Sequence, residues 1–123
     1  MAGFRLSPVA EQDITAILAW AQLHFGEQVR LRYEAPLVRA IQDVASNPRR
    51  AGCLSRPELT PNAFTYHLRF SRDQVPASIG RIRNPRHILL CRIVTDSCLE
   101  IARVLHHSMD LSRNLPEDHQ AGP

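Results

Sequence analysis

The sequence predicts an α+β domain in which a hairpin of two helices covers one face of a sheet. Two consecutive helical periodicities occupy the first half of the chain and are joined by a single glycine, Gly26. The second half reads as strands, and a short alternating segment stands ahead of the helices. Segregation of helices from strands is the pattern of α+β architecture.

The opening segment, residues 4–7, alternates and predicts an initial strand. Ser7-Pro8 reads as a helix start, because Ser7 can accept from an orphan N–H and Pro8 at the first helical position loses no hydrogen bond. Glu11 and Asp13 suit the positive end of the helix dipole. Val9, Ile14, Ile17, Leu18, Ala21 and Phe25 recur at three- and four-residue intervals, predicting an amphipathic helix of about fifteen residues. Gly26 tolerates the backbone of a helix stop. The second helix is predicted from Glu27 to about Ser46, with Val29, Tyr33, Leu37, Ile41 and Val44 on one face. The one-residue connection makes the two helices antiparallel. Pro36 should kink the second, and Asn47-Pro48 ends it.

Residues 49–63, with Gly52, Pro57, Pro61 and Asn62, read as a loop. Residues 64–70 alternate, placing Phe64, Tyr66, Leu68 and Phe70 on one face and Thr65, His67 and Arg69 on the other. Residues 71–86 read as a long exposed basic connection. Two apolar strands, 87–94 and 98–105, are separated by a turn at Thr95, Asp96 and Ser97 and predict an antiparallel hairpin. The three later strands form an antiparallel meander. Met109 to Leu115 is expected to form a short helical tail. A single domain thus spans residues 1–115, and 116–123 is expected to be disordered.

Length and composition bound the function. The 123 residues suffice for one domain, and 44% hydrophobic with 22% charged residues is ordinary for a globular chain. No apolar run reaches the length of a membrane span, and the N-terminus lacks a secretory-signal pattern. All fifteen basic residues are arginine, which excludes a Schiff-base lysine, a Walker lysine and a lysine general base. The charge is uneven: residues 1–48 carry net −1, residues 49–103 net +6 and residues 104–123 net −2. Such a basic segment points to an anionic partner, nucleic acid or an acidic protein segment, although arginine also accumulates from genome base composition. Cys53, Cys91 and Cys98 are odd in number and form no CxxC, so a reducing cytoplasm is expected rather than a disulfide framework. Their spacing with His67, His87, His106 and His107 matches no zinc pattern, and no metal or other cofactor is expected.

Several strings, in their order, resemble the toxins of the RelE/ParE superfamily, on the ParE (plasmid-stabilisation) side. Residues 4–14 (FRLSPVAEQDI) look like that family's strand-to-helix opening, and 45–49 (ASNPR) like its second-helix exit. Residues 87–93 (HILLCRI) and 100–106 (EIARVLH) resemble its closing hairpin, and 109–111 (MDL) its tail. The likeness covers about residues 3 to 115. The link over 71–86 is longer than the family's usual one, and Pro36 is a second departure.

The resemblance implies a cytoplasmic toxin of a type II toxin–antitoxin system, neutralised by a ParD-like antitoxin and inhibiting DNA gyrase. The alternative it implies is a RelE-type endonuclease that cuts mRNA in the ribosome. A third reading, an inert binding module descended from a toxin, stays open on Pro36 and the long link. A nuclease needs an acid–base pair and cations on the phosphate. Without lysine, and with no tyrosine after Tyr66, the candidates are His106, His107, Arg69 and Arg92. One of His106 and His107 should point inward and one outward. His67 and His87 read as surface strand residues. Arg69, Arg72, Arg81, Arg83, Arg86 and Arg92 are candidates to face an anionic partner such as an acidic antitoxin tail, which guanidinium groups bind bidentately. Trp20 and Phe25 read first as packing groups, with Trp20 as a candidate anchor for an antitoxin helix.

Overall fold

The computed structural model describes residues 3–75, 85–109, 111 and 113–115. The order is β1 (Gly3–Leu6), α1 (Pro8–Phe25), α2 (Glu27–Ser46), β2 (Leu54–Ser55), β3 (Ala63–His67), β4 (His87–Thr95) and β5 (Cys98–His106). The α+β class and the helix hairpin are as expected, but the sheet is larger than a three-strand meander. It has five strands in the order β1-β5-β4-β3-β2, with β1 parallel to β5 and the other pairs antiparallel. The loop expected over 49–63 thus contributes an edge strand. The third predicted strand ends at His67 and turns into a 3-10 helix, Leu68–Phe70. A second 3-10 turn, Arg72–Gln74, opens the following connection, and Ser71 and Val75 are buried, so its start is not an exposed loop. Turns, rather than a helix, occupy the described residues of 107–115.

Ser7 starts α1 as its residue type dictates: its Oγ accepts from Ala10 N–H at 3.0 Å and donates to the Ala102 carbonyl at 2.7 Å. That pair ties the helix start to β5. Asp13, a turn later, accepts from Arg103 Nε at 2.8 Å, from Arg103 NH2 at 2.9 Å and from Val104 N–H at 3.0 Å. Helix α1 runs 18 residues and stops at Gly26, whose φ of 90° suits glycine. Helix α2 runs unbroken through Pro36, which is buried.

The core lies between α2 and one sheet face. Leu37, Ala40, Ile41, Val44 and Ala45 of α2 pack with Phe64, Tyr66, Leu89, Cys91, Leu99, Ile101 and Val104. The register explains the row: Tyr66 opposes Leu89, which opposes Val104, and Phe64 opposes Cys91, which opposes Ile101. Each fully buried leucine contributes about 1.5–3 kcal/mol. At the end of the core, buried Asp43 lies 3.0 Å from both Arg39 Nε and Arg50 NH1, and accepts from Ser71 Oγ at 2.5 Å. Ser71 also bonds the buried Tyr66 hydroxyl at 2.7 Å. This network clamps α2 to the end of β3.

Helix α1 fits the sequence expectation less well. Ile14, Ile17 and Leu18 lean on the core, but Phe25 does not. Trp20 is 56% exposed, Leu23 82% and Phe25 60%. The Trp20 ring stacks on His24 at 4.3 Å and meets Phe25 edge-on at 5.5 Å, an aromatic cluster on the outside of the hairpin tip.

Candidate functional site

The sheet face away from the helices carries Thr65, His67 and Ile88, the residues that alternate with the core row. At the end of the sheet, where β3 stops and β4 begins, a cleft of about 260 Å³ is lined by His67, Arg69, Arg72, Pro85, Arg86 and His107. Among the described residues no carboxylate lines it. It adjoins a larger groove of about 530 Å³, which shares His67, Arg69 and His107 and adds Cys53, Phe70, Ile88, Met109 and Leu111. Gly52 lines this groove with φ near 100°, and a Cβ there would lie 2.7 Å from the Phe70 ring.

Backbone bonds fix the cleft. His67 Nδ1 accepts from the Arg69 N–H at 3.1 Å, the capture that turns the chain out of β3. The Arg86 N–H donates to the Tyr33 hydroxyl at 3.2 Å, and the Arg86 carbonyl accepts from the His107 N–H at 2.8 Å. The Arg69 guanidinium lies over the Phe70 ring at 4.8 Å.

These bonds also assign the imidazole tautomers. His67 uses its Nδ1 lone pair on Arg69, so its Nε2–H donates to His107 Nδ1 at 3.2 Å. His107 is left with an outward Nε2–H. The Tyr33 hydroxyl accepts from the Arg86 N–H and is also bonded to His87 Nδ1. His106 Nδ1 accepts from the Ser108 N–H at 3.2 Å and sits 2.7 Å from its hydroxyl. His67, His106 and His107 thus have Nδ1 engaged as an acceptor, and His87 Nδ1 is bonded to Tyr33. Burial, Arg69 and His107 hold the His67 pKa below its ordinary value. Burial and then His106 push His87 down to about 4. Burial raises the Tyr33 pKa.

The sequence candidates separate. Arg69, Arg72, Arg86 and His107 meet in the cleft. His106 is half-buried and faces His87, its partner across the β4–β5 ladder, at 5.5 Å. Arg92 is five residues along β4 from His87, about 16 Å, and lies 3.3 Å from Glu100 Oε1, while Arg5 bonds Oε2 of the same carboxylate at 3.0 Å. Arg81 and Arg83 lie outside the described residues. Trp20 stands near the hairpin tip and does not line the cleft. Reading the residues as a sequence missed His67 as a cleft residue and His87 as the partner of Tyr33. The signal was present for His67: it lies off the core face two residues before Arg69, and the ladder runs from His67 through Ile88 to Leu105, two residues short of His107.

Among the described residues no group of three or more His, Cys, Asp or Glu is placed to hold a metal, and no helix is long and apolar enough to cross a membrane. No curated protein sequence matches the chain significantly. Among solved structures, the chromosomal ParDE TA system from P. aeruginosa is similar, with a TM-score of 0.59 and 15% identity over 86% of this chain and 96% of that one. That likeness is one of fold. The family described as the ParE toxin of the type II toxin–antitoxin system parDE matches residues 4–111. With the match spanning every helix and strand from Phe4 to the end of β5, the chain belongs to the ParE toxin family.

Proposed function

We propose that this toxin acts in the cytoplasm by inhibiting DNA gyrase and that a ParD-like antitoxin neutralises it. The family match over residues 4–111 carries the reading. The similar solved structure is itself described as a ParDE system, which supports a ParD-type partner. We infer two contact regions for that partner. The exposed cluster of Trp20, Leu23 and Phe25 offers an apolar anchor for an antitoxin helix. The basic face around Arg69, Arg72 and Arg86 suits an anionic partner, with an acidic antitoxin segment as its occupant in the inhibited complex.

The mRNA endonuclease reading is the weaker one. It requires a group with a lone pair to take the ribose proton. The Nδ1 lone pairs of His67, His106 and His107 are engaged, and His87 Nδ1 is bonded to the Tyr33 hydroxyl. Inhibition by binding requires no such group. The test is purified gyrase with supercoiled plasmid and the isolated toxin. Trapped cleavage complexes, restored to normal turnover by the antitoxin, are the expected result. Unaltered gyrase at saturating toxin, with transcripts cut in translating extracts, would overturn the proposal.

A further inference from the structure

We propose that the cleft at the end of β3 binds a phosphate group, that of a nucleotide or a nucleic acid strand, through Arg69, Arg86 and the Nε2–H of His107. The inference deepens the reading of the basic face as the seat of an anionic partner and rests on that reading, not on gyrase as the target.

Among the described residues, the charged and imidazole side chains that line the cleft offer donors. Guanidinium groups have no acceptor, and the imidazole lone pairs at Nδ1 of His67 and His107 are already used. A donor-only cleft takes an acceptor-only ligand. The charge then favours phosphate over a lone carboxylate. Arg69, Arg72 and Arg86 line the cleft with no carboxylate among the described residues. Asp73 is the neighbour of Arg72 in the chain, and Arg69 and Arg86 add two further positive charges to the lining. A carboxylate brings one negative charge, whereas a phosphate monoester or two successive phosphodiesters bring about two.

The backbone beneath the donors is fixed before any ligand arrives. Arg69 is held through His67, and Arg86 is held on one side by Tyr33 and on the other by His107. Binding therefore orders side-chain tips rather than chain, which lowers its entropic cost. The adjoining groove supplies the place for the rest of a nucleotide. Phe70, Ile88 and Met109 offer an apolar wall to a base while its phosphate reaches Arg69 and Arg86.

The test is an NMR titration of the full-length toxin at constant ionic strength and pH 7.5, following the histidine ring and Ile88 and Met109 methyl signals. Inorganic phosphate should move His67 and His107 saturably, with a Kd of about 1 mM, as suits so small a ligand. Thymidine 5′-monophosphate should bind about tenfold tighter and also move Ile88 and Met109, whereas thymidine alone should move neither histidine. An oligothymidylate lacking a terminal phosphate separates the sources: binding equal to the mononucleotide assigns internal phosphodiesters, and loss assigns a terminal phosphate. R69Q and R86Q should each weaken binding about tenfold, the effect of one charge-assisted hydrogen bond. R32Q, at an exposed site on α2, should leave it within about twofold. Shifts that stay linear to about 20 mM phosphate, or an equal loss in R32Q, overturn the proposal. So does a glutamate-rich peptide that moves His67 and His107 at lower concentration than the mononucleotide, a result that leaves the antitoxin reading standing. Loss of phosphate binding in R69Q with unaltered gyrase trapping separates this site from the toxin's target.

Discussion

Replacing Asp43 by alanine should destabilise the toxin more than any surface change, and the structure sets the size. Ser71 is fully buried and its hydroxyl donates to Asp43 at 2.5 Å, so truncation strands a buried donor at about 1–3 kcal/mol. The Arg39 and Arg50 guanidiniums lie 3.0 Å from the other carboxylate oxygen, with side chains 43% and 29% exposed. Water screens them, so each contact is worth about 0.5–1 kcal/mol. The expected loss is about 2–5 kcal/mol, or a fall in Tm of about 8–20 °C for a domain of this size. Urea unfolding and thermal melts of the purified chain measure it. In the double variant Asp43→Ala/Ser71→Ala the stranded hydroxyl is gone, so the two losses should fall short of additivity by about 1–2 kcal/mol. A loss below about 1 kcal/mol in Asp43→Ala, or strict additivity in the pair, would refute the view that this carboxylate clamps α2 to the end of β3.

Asp13→Ala removes the acceptor for Arg103 and for the Val104 N–H, and should cost about 3 kcal/mol in urea unfolding. Because Arg103 also donates to the Asn114 carbonyl at 2.9 Å, amide exchange around residue 114 should rise with it. His87 has its pKa lowered to about 4 in the fold. Its contribution to stability is complete above the unfolded value near 6.5 and is lost as the pH falls toward 4. His87→Gln should therefore flatten the decline of Tm over that window, and an unchanged slope would count against the buried neutral imidazole. Trp20→Ala lies on an exposed tip and should shift stability by no more than about 0.5 kcal/mol, while weakening antitoxin binding measured by calorimetry by about tenfold or more.

What the sequence made legible was local. Ser7-Pro8, the single Gly26 between two periodic runs and the apolar stripe of α2 act within a few residues, and each element they predict is present. The sheet was less legible because its order rests on distant pairing. Nothing near Gly3–Leu6 says that it runs parallel to β5, and a two-residue edge strand carries no periodicity to detect. The third strand was read three residues too long because alternation continues to Phe70, while the His67 ring takes the Arg69 N–H and turns the chain. Helix α1 shows a different limit. Periodicity marks an apolar face but not what covers it, so Phe25 was counted with the core although it lies open beside Trp20. The arginines were legible as a basic segment and illegible as individuals. Arg92 and Arg103 turn to Glu100 and Asp13, acids far away in sequence or across a ladder, while Arg69 and Arg86 turn to the cleft.

The absence of lysine acquires a physical meaning in that cleft. Its fixed charge comes from guanidinium groups, which stay ionised at any pH the fold survives. The imidazoles add direction rather than charge. Burial and Arg69 hold the His67 pKa below its ordinary value, and protonating it at Nδ1 gives up the bond from the Arg69 N–H. His67 therefore resists acting as a base, because the proton it would gain breaks the bond that positions the Arg69 backbone. A site built this way offers an anion a charge that does not depend on pH.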